Sequence, residues 1–526
     1  MKVEILRKHR NELYDELDYE LFLSLFVQNQ PLLSSVILRP MDENGAVSHY
    51  AELAGLEQKL QPGKLDKILE QSSTLPPLEH LLTLVERGQL EQYHLFELGN
   101  FLNNDSILRS LEESCPLDPE SSLDRDQLLL VLEEYTEKSF STIRVNKEAK
   151  KTKTALTESD KELEEAVKEF EQQIFECTGL KMTYPWPKEL ALGKEQVTSI
   201  NDCDLLTIEK RNDIWLIDYN ITLDINRLQS KKNELSAHFD TLMQKQLKQL
   251  NGECSPLGHS FRNYYRKRVK RTWFYVLLGV KERKSLCLPE FTSGYGCHLK
   301  DSYLYGLKVR KEEKCIPLDL DIEKGATVLY GANMSGKTTV LKTLYFLLTL
   351  VQLGLPLPAR KAVLHYPKQV ALMLKSPGDV RTNSSTYGEE LAFFAKQMEE
   401  GAYILSDELF LSTDPANGVI LSKILIRSMA GADKLFLCTT HYPEILDIEN
   451  ITLFRMEDPD PLLLAKSGSN LQSLRNFMPY KLIPITDREQ EKIRTNRAPL
   501  ETALLFDLPR DIKEAIRKHL AGTTSS

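Results

Sequence analysis

The stretch that most constrains the fold is "GANMSGKTT" (331–339), because it lies between two apolar runs of different character. The run "ATVLY" (326–330) before it predicts a strand, and residues 338–353 after it predict a helix. A turn of the pattern GxxxxGK[ST] in that setting is typical of a phosphate-binding loop. Gly331 and Gly336 let backbone N–H groups close around phosphate oxygens, and the helix N-terminus favours the negative charge.

The loop also predicts how a nucleotide and its metal are held. We expect Lys337 to reach the β- and γ-phosphates of ATP and the Thr338 hydroxyl to ligate Mg²⁺. The residues expected to bind the nucleotide in this loop are Gly331, Ala332, Asn333, Met334, Ser335, Gly336, Lys337, Thr338 and Thr339.

Short apolar runs alternate with helical segments from about residue 285 onward. These runs are "ATVLY" (326–330), "QVALML" (369–374), "AYILSDE" (402–408) and "KLFLCTTH" (434–441). Strands that alternate with helices predict a parallel sheet. The sequence therefore predicts an α/β P-loop ATPase domain over 285–465.

Two of these runs end in residues whose side chains can take part in catalysis. Asp407 and Glu408 follow an apolar strand, so we expect Asp407 to bind Mg²⁺ and Glu408 to polarise the attacking water. His441 ends the next strand, where it either senses the γ-phosphate or is structural. In this order the three elements predict an ABC-type ATPase, in which two nucleotide domains enclose two ATP molecules. Because the chain holds one P-loop, the second domain has to come from another copy.

The first half of the chain predicts helices. Residues 1–140 form a helical core domain by this interpretation, and 141–284 form two long helices with a small β insert, as in a lever with a clamp-like tip. In the first long helix, Leu156, Leu163, Val167, Phe170 and Ile174 make a narrow apolar stripe of coiled-coil type. That stripe pairs with one neighbouring helix or serves a partner. Residues 466–526 predict a C-terminal helical dimerisation element.

A basic run with aromatic residues, "FRNYYRKRVKRTWFYVLLGV" (261–280), allows two interpretations. Arginine and lysine beside tyrosine and tryptophan can bind phosphates and stack bases. The alternative is a helix that packs its apolar side inward while its arginines pair with acidic residues.

Composition limits the partners and the compartment. The net charge is −9 and the isoelectric point is about 5.8, which argues against nucleic acid held by the general field of the protein. The 8 cysteines include no CxxC pair, so no zinc ribbon is indicated. The N-terminus lacks a signal-peptide core, and no apolar run is long enough to span a membrane. We therefore expect a cytoplasmic protein without a membrane partner.

The motifs resemble those of the MutS family. Asn333 and Met334 in the P-loop are distinctive of that family, and "QLGLPLPAR" (352–360) is similar to another of its segments. "SSTYGEEL" (384–391) resembles the family's signature segment, and "SDEL" and "TTHY" match the segments around Asp407 and His441. The resemblance implies that Ser385 contacts ATP across a homodimer interface formed by the ATPase domains.

The chain also departs from the family pattern. The glycine-rich segment that follows the catalytic acidic pair in the family is "LFLSTDPANG" (409–418) here, with only Gly418 kept. Asn383 stands at the signature glycine position. We also expect the family's mismatch-reading, connector and nuclease domains to be missing.

Two functions remain open at this point. Short MutS-like chains resemble the ATPase component of reactivases for adenosylcobalamin-dependent aminomutases, such as lysine 5,6-aminomutase. That resemblance implies a protein client that is opened to release damaged cofactor, with a possible second reactivase subunit. The alternative is a DNA clamp acting in repair or recombination, with Arg262 to Arg271 or the lysines of 147–153 on the phosphates.

Overall fold

The computed structural model describes most of the chain. The residues it describes are 2–5, 13–117, 119–190, 197, 200, 203–211, 214–310, 315–331, 335–374, 386–400, 403–457, 479–486, 504 and 509–522. Four of the expected nucleotide-binding residues, 332–334 and Ser385, lie outside these ranges. Much of the expected dimerisation element of 466–526 also lies outside them.

The chain forms two compact units. The first unit comprises Met1–Thr74, Ser110–Cys115 and Val269–Ser526, and the second comprises Leu75–Arg109 and Pro116–Arg268. The boundaries expected at residues 140, 284 and 465 stay predictions.

The helices of the first unit are Leu13–Glu16, Tyr19–Leu23, Glu43–Lys59, Leu65–Ser72, Tyr305–Arg310, Lys337–Gln352, Thr386–Glu400, Pro415–Ala430 and Arg510–Gly522. Those of the second are Glu79–Arg87, Pro119–Tyr135, Lys147–Thr178 and Leu223–Cys254. The helices Gln92–Leu111 and Gly258–Lys284 contribute residues to both. None of the helices in the described part of the chain is long and apolar enough to cross a membrane.

The strands, in chain order, are β1 (Lys2–Ile5), β2 (Ser35–Leu38), β3 (Glu189–Leu190), β4 (Leu206–Arg211), β5 (Ile214–Tyr219), β6 (Glu290–Phe291), β7 (Cys297–Ser302), β8 (Leu318–Ile322), β9 (Gly325–Tyr330), β10 (Lys361–Leu364), β11 (Val370–Met373), β12 (Tyr403–Ser406), β13 (Leu435–Thr440), β14 (Thr452–Met456) and β15 (Leu482–Pro484).

A six-stranded sheet forms the centre of the first unit. Its strand order is β11-β12-β13-β9-β14-β15, and every neighbouring pair is parallel except β14 with β15. All four strands predicted for this domain are present. They are apolar because both faces are covered: Val328, Ile404 and Phe436 are fully buried in one core with helix residues such as Ile426. The predicted α/β architecture of the ATPase domain is confirmed.

Two further sheets of the first unit were not predicted. One has the order β6-β10-β7-β8, and the other is the parallel pair β1-β2. The expectation that residues 1–140 are entirely helical is therefore wrong at both strands of that pair. These strands have 4 residues each, too few to establish an alternating pattern.

In the second unit, two 32-residue helices pack side by side, and we call Lys147–Thr178 and Leu223–Cys254 the lever helices. Leu163, Val167, Phe170 and Ile174 of the predicted stripe are buried, together with Ile225 of the second helix. The stripe therefore packs within this chain, against Ile225 of the second helix and against insert residues such as Leu206 and Ile217. Leu156, the first residue of the predicted stripe, is only partly buried. Salt bridges follow the same contact, from Lys232 to Asp160 at 2.7 Å and from Lys231 to Glu162 at 3.0 Å.

The antiparallel sheet β3-β5-β4 lies in the chain between the lever helices, where the sequence predicts a β insert. Aromatic residues join it to the first lever helix. The Trp186 ring lies 5.0 Å from that of Phe170 and 5.2 Å from that of Tyr219, between ring centroids.

Several basic residues of the run 261–280 bind acidic or carbonyl groups of the same protein. Arg262 bonds Glu86 with a donor–acceptor distance of 2.6 Å, and Lys270 pairs with Glu52 at 2.7 Å. Arg271 donates to the carbonyl of Cys115 at 2.8 Å. The aromatic rings of Tyr264 and Tyr265 are buried and present no stacking face. The packing interpretation of this run therefore fits the structure better than a nucleic-acid surface does.

The most deeply buried charge of this run is Arg268. Its Nε lies 2.6 Å from Asp105 Oδ1, and Arg125 Nε lies 2.9 Å from Asp105 Oδ2. The side chains of Asp105 and Arg268 are fully buried, and that of Arg125 is 1% exposed. The Tyr264 hydroxyl donates to the same carboxylate, and burial raises its pKa. The carboxylate therefore holds three chain segments together in the second unit.

Removal of Arg268 is expected to be costly. The Arg268→Ala variant loses a buried ion pair and leaves a cavity, so the free energy of unfolding falls by about 3 kcal/mol or more. Urea unfolding followed by circular dichroism measures the change. Arg266→Ala is the matched control, since Arg266 is exposed on the same helix and its removal changes stability by less than about 0.5 kcal/mol. Equal loss in both variants would contradict a stabilising role for the buried cluster.

Candidate nucleotide site

The P-loop lies where β9 ends and the helix Lys337–Gln352 begins. Gly336, at the start of this helix, has a φ of 104°, a conformation that favours glycine. The Lys337 side chain folds back over the loop, and its Nζ donates to the carbonyl of Gly331 at 2.7 Å. Lys337 is 5% exposed, and Ser335 is also buried. The described loop residues therefore enclose the ammonium group as a phosphate-binding site requires.

Asp407 is joined to the P-loop helix by a direct hydrogen bond. The Thr338 hydroxyl donates to Asp407 Oδ2 at 2.8 Å, and the Thr439 hydroxyl donates to Asp407 Oδ1 at 2.7 Å. The two residues that the sequence assigns to Mg²⁺ thus meet in space. A hydroxyl and a carboxylate are hard oxygen donors, which fits Mg²⁺. Thr439 was not singled out from the sequence, although it lies in the "CTTH" segment before His441.

Glu408 and His441 form the next pair of the site. His441 Nε2 lies 2.7 Å from Glu408 Oε1 and 3.4 Å from Lys337 Nζ. The backbone N–H of Glu408 donates to the Thr439 hydroxyl at 2.8 Å. Both side chains are about a quarter exposed, at 21% for Glu408 and 26% for His441. The structure therefore brings the two expected catalytic residues together beside the P-loop lysine; their roles stay predictions.

Burial changes the acidity of Lys337. It lowers the pKa of the ammonium group from its usual 10.5 to about 8, because a charged amine loses hydration inside the protein. The carboxylates of Glu408 and Asp407 oppose this shift, since they stabilise the positive charge. The lysine therefore keeps its charge at pH 7 and loses it as the pH rises through about 8.

A pocket of about 320 Å³ opens beside the P-loop. Its polar lining includes residues 336–339 and Glu408. Its apolar lining includes Tyr303, Leu304, Leu307, Ile316, Met456 and Tyr480. The two kinds of residue adjoin, since a Cβ at Gly336 would lie 3.1 Å from the ring of Tyr480. A pocket with mixed apolar and polar lining suits a nucleotide.

The apolar residues that line the pocket could not be identified from the sequence. Tyr303 and Leu307 precede the P-loop by about thirty residues, and Tyr480 follows it by more than a hundred. These residues belong to no motif, so only the fold brings them to the pocket. Among the residues predicted to bind nucleotide, Ala332, Asn333, Met334 and Ser385 lie outside the described part of the chain.

A known protein family matches the part of the chain that contains this site. Residues 327–457 match the family described as MutS domain V. That range begins in β9 and ends just after β14, so it contains Lys337, Asp407 and His441. Residues 327–457 are thus similar to MutS domain V, which is a P-loop ATPase domain.

Several curated proteins share similarity with part of the chain. The DNA mismatch repair protein MutS of Streptococcus gordonii is 29% identical over 36% of this chain and 23% of its own length. The MutS protein homolog 4 of Mus musculus is 29% identical over 31% of the chain and 18% of its own length. Endonuclease MutS2 of Thermus thermophilus is 32% identical over 23% of the chain and 17% of its own length. The chain matches less than a quarter of each of these relatives.

The lowered pKa of Lys337 predicts a pH-dependent affinity for ATP. The ammonium form binds phosphate, and it predominates below about pH 8. Affinity is therefore expected to hold near pH 7 and to fall by up to about tenfold per pH unit above pH 8. Titration of a fluorescent ATP analogue from about pH 7 to about pH 9.5 measures this. In the Lys337→Met control, binding is weak and the pH slope disappears; a slope that persists there would assign the titration to another group.

Proposed function

We propose that this chain, which is similar to MutS domain V over residues 327–457, is an ATP-hydrolysing remodelling protein that acts as a dimer. The observation that carries the proposal is the meeting of Thr338, Asp407, Glu408 and His441 around the buried Lys337. Those residues are the parts that ATP hydrolysis requires, and Lys337, Thr338 and Glu408 also line the neighbouring pocket of about 320 Å³.

Each side chain has a distinct part in the proposed reaction. Lys337 binds the phosphate oxygens, and Thr338 and Asp407 hold Mg²⁺, which neutralises charge that develops on the phosphates. Glu408 orients the attacking water and accepts its proton. His441 lies within hydrogen-bond distance of Glu408 and close to Lys337, so it can orient Glu408 and sense the γ-phosphate.

Dimerisation completes the site in this proposal. The resemblance to ABC-type ATPases implies that Ser385 of one copy contacts ATP held by the other. ATP binding then closes the dimer, and hydrolysis reopens it. The lever helices of the second unit convert this cycle into movement at the client.

Substitution of Glu408 tests the chemistry. Glu408→Gln keeps the size of the side chain but cannot accept the proton of water, so turnover is expected to fall about 100-fold or more while ATP still binds. The ATP-bound dimer accumulates and is detected by size-exclusion chromatography with bound nucleotide. Glu449→Gln, at an exposed carboxylate in the same domain, is the matched control. Normal hydrolysis by Glu408→Gln would overturn the role of this residue.

A protein is the client that we favour. The net charge is −9, and four basic residues of the 261–280 run have partners within the fold. The specific client proposed is an adenosylcobalamin-dependent aminomutase, opened so that damaged cofactor leaves, with or without a second reactivase subunit. This finer identity is supported by the resemblance to the ATPase component of such reactivases.

DNA is the second candidate, and two observations favour it. One relative is named a DNA mismatch repair protein. In addition, Lys147, Lys150, Lys151 and Lys153 are exposed at the start of the first lever helix. Lysines on one exposed segment can neutralise phosphates.

A salt titration separates the two clients. Fluorescence anisotropy with a labelled duplex of about 30 base pairs, at about 50 and 200 mM salt, is expected to show only weak binding. Several phosphate contacts would instead give tight binding that falls by about 10³-fold between the two salt concentrations. That result would replace the protein client with DNA. The double variant Lys150→Glu, Lys153→Glu would then show whether the lever lysines make the contact. Lys245→Glu with Lys248→Glu, at two exposed lysines of the other lever helix, serves as a control.

A further inference from the structure

We infer that Glu390 is a positioning residue that holds the turn after Glu408 and thereby fixes the direction in which the catalytic Glu408 leaves its strand. The inference rests on the proposed ATPase function. It concerns the segment 409–412, which directly follows Glu408 and which differs from the glycine-rich segment of the resembled family.

Glu390 holds this segment through both of its carboxylate oxygens. Its Oε1 accepts a hydrogen bond from the backbone N–H of Phe410 at 2.9 Å. Its Oε2 accepts a hydrogen bond from the hydroxyl of Ser412. The Glu390 residue is 8% exposed, so these two bonds replace hydration that the carboxylate has lost. The carboxylate therefore binds Phe410 and Ser412 in the turn that follows Glu408.

The helix that carries Glu390 also anchors the ring of Phe410. Tyr387 and Phe394, three positions before and four positions after Glu390, lie on the same helical face. Their ring centroids lie 6.5 Å and 5.7 Å from that of Phe410. Phe410 is 3% exposed and Phe394 5%. One face of a single helix thus holds both the backbone and the side chain of Phe410.

The turn needs such support because its backbone is unfavourable. Glu408 has a φ of 54° and Phe410 a φ of 47°, in the left-handed region that residues with a Cβ rarely adopt. On the other side of the turn, a Cβ at Gly418 would come within 2.8 Å of the carbonyl oxygen of Phe410. The direction in which Glu408 leaves β12 therefore depends on contacts that keep Phe410 in place.

The helix that carries Glu390 directly follows Ser385 in the chain. The helix begins at Thr386, one residue after Ser385, which the resemblance places against ATP bound by the other copy. Glu390 is the residue of this helix that accepts hydrogen bonds from the turn after Glu408.

The test compares turnover with nucleotide binding in the full-length protein. Glu390→Ala removes both hydrogen bonds and is expected to lower kcat about tenfold or more, while KM for ATP and the affinity for a non-hydrolysable analogue change less than about threefold. Glu390→Gln keeps one acceptor for the Phe410 N–H and restores part of kcat. Ser412→Ala removes one bond and lowers kcat by a few fold. It serves in place of Glu390→Ala if that variant does not fold.

The outcomes separate this inference from the proposed function. Failure of the wild-type protein to hydrolyse ATP would sink the ATPase proposal itself. Wild-type turnover with unchanged kcat in Glu390→Ala, or in Ser412→Ala, would overturn only the positioning role. So would a loss of turnover matched by an equal loss of ATP affinity and thermal stability, because that pattern indicates a structural role. Lys396→Ala, at an exposed position of the same helix outside the signature segment, is the control and keeps wild-type kcat.

Discussion

The candidate nucleotide site depends on the carboxylate of Asp407. It accepts hydrogen bonds from Thr338 at the start of the P-loop helix and from Thr439 at the end of β13. These contacts exist because β12, β13 and β9 are neighbours in the sheet, so their carboxyl ends meet at one edge. Sheet order thus converts three motifs distant in the sequence into one site. Glu408 and His441 follow the same strands and reach Lys337 for the same reason.

The parts of this arrangement that could be predicted are those in which local sequence determines position. The P-loop pattern requires a strand before it and a helix after it, so its neighbours could be assigned without a structure. Asp407 and His441 follow apolar strands of a parallel sheet, and such strands end on the same side. The long apolar stripe from Leu163 to Ile174 likewise indicates a paired helix, because its spacing repeats over several turns.

Other features depend on contacts that no local pattern encodes. Tyr303, Ile316 and Tyr480 line the pocket, but each belongs to a short segment outside the P-loop. The strands β1 and β2 are too short to alternate visibly, and their stability comes from pairing with each other. The same limit applies to charge: the sequence shows the basic residues around Arg268 but not the carboxylates, such as Asp105, that neutralise them.

Position 418 requires glycine because the backbone of the preceding turn passes close to it. A side chain there would collide with the carbonyl oxygen of Phe410 and with the Tyr442 hydroxyl. A related sequence with a larger residue at this position must therefore route the preceding turn differently. Glycine at 418 is therefore a requirement of the path taken by residues 408–410, and it applies whatever side chains stand at 411–417.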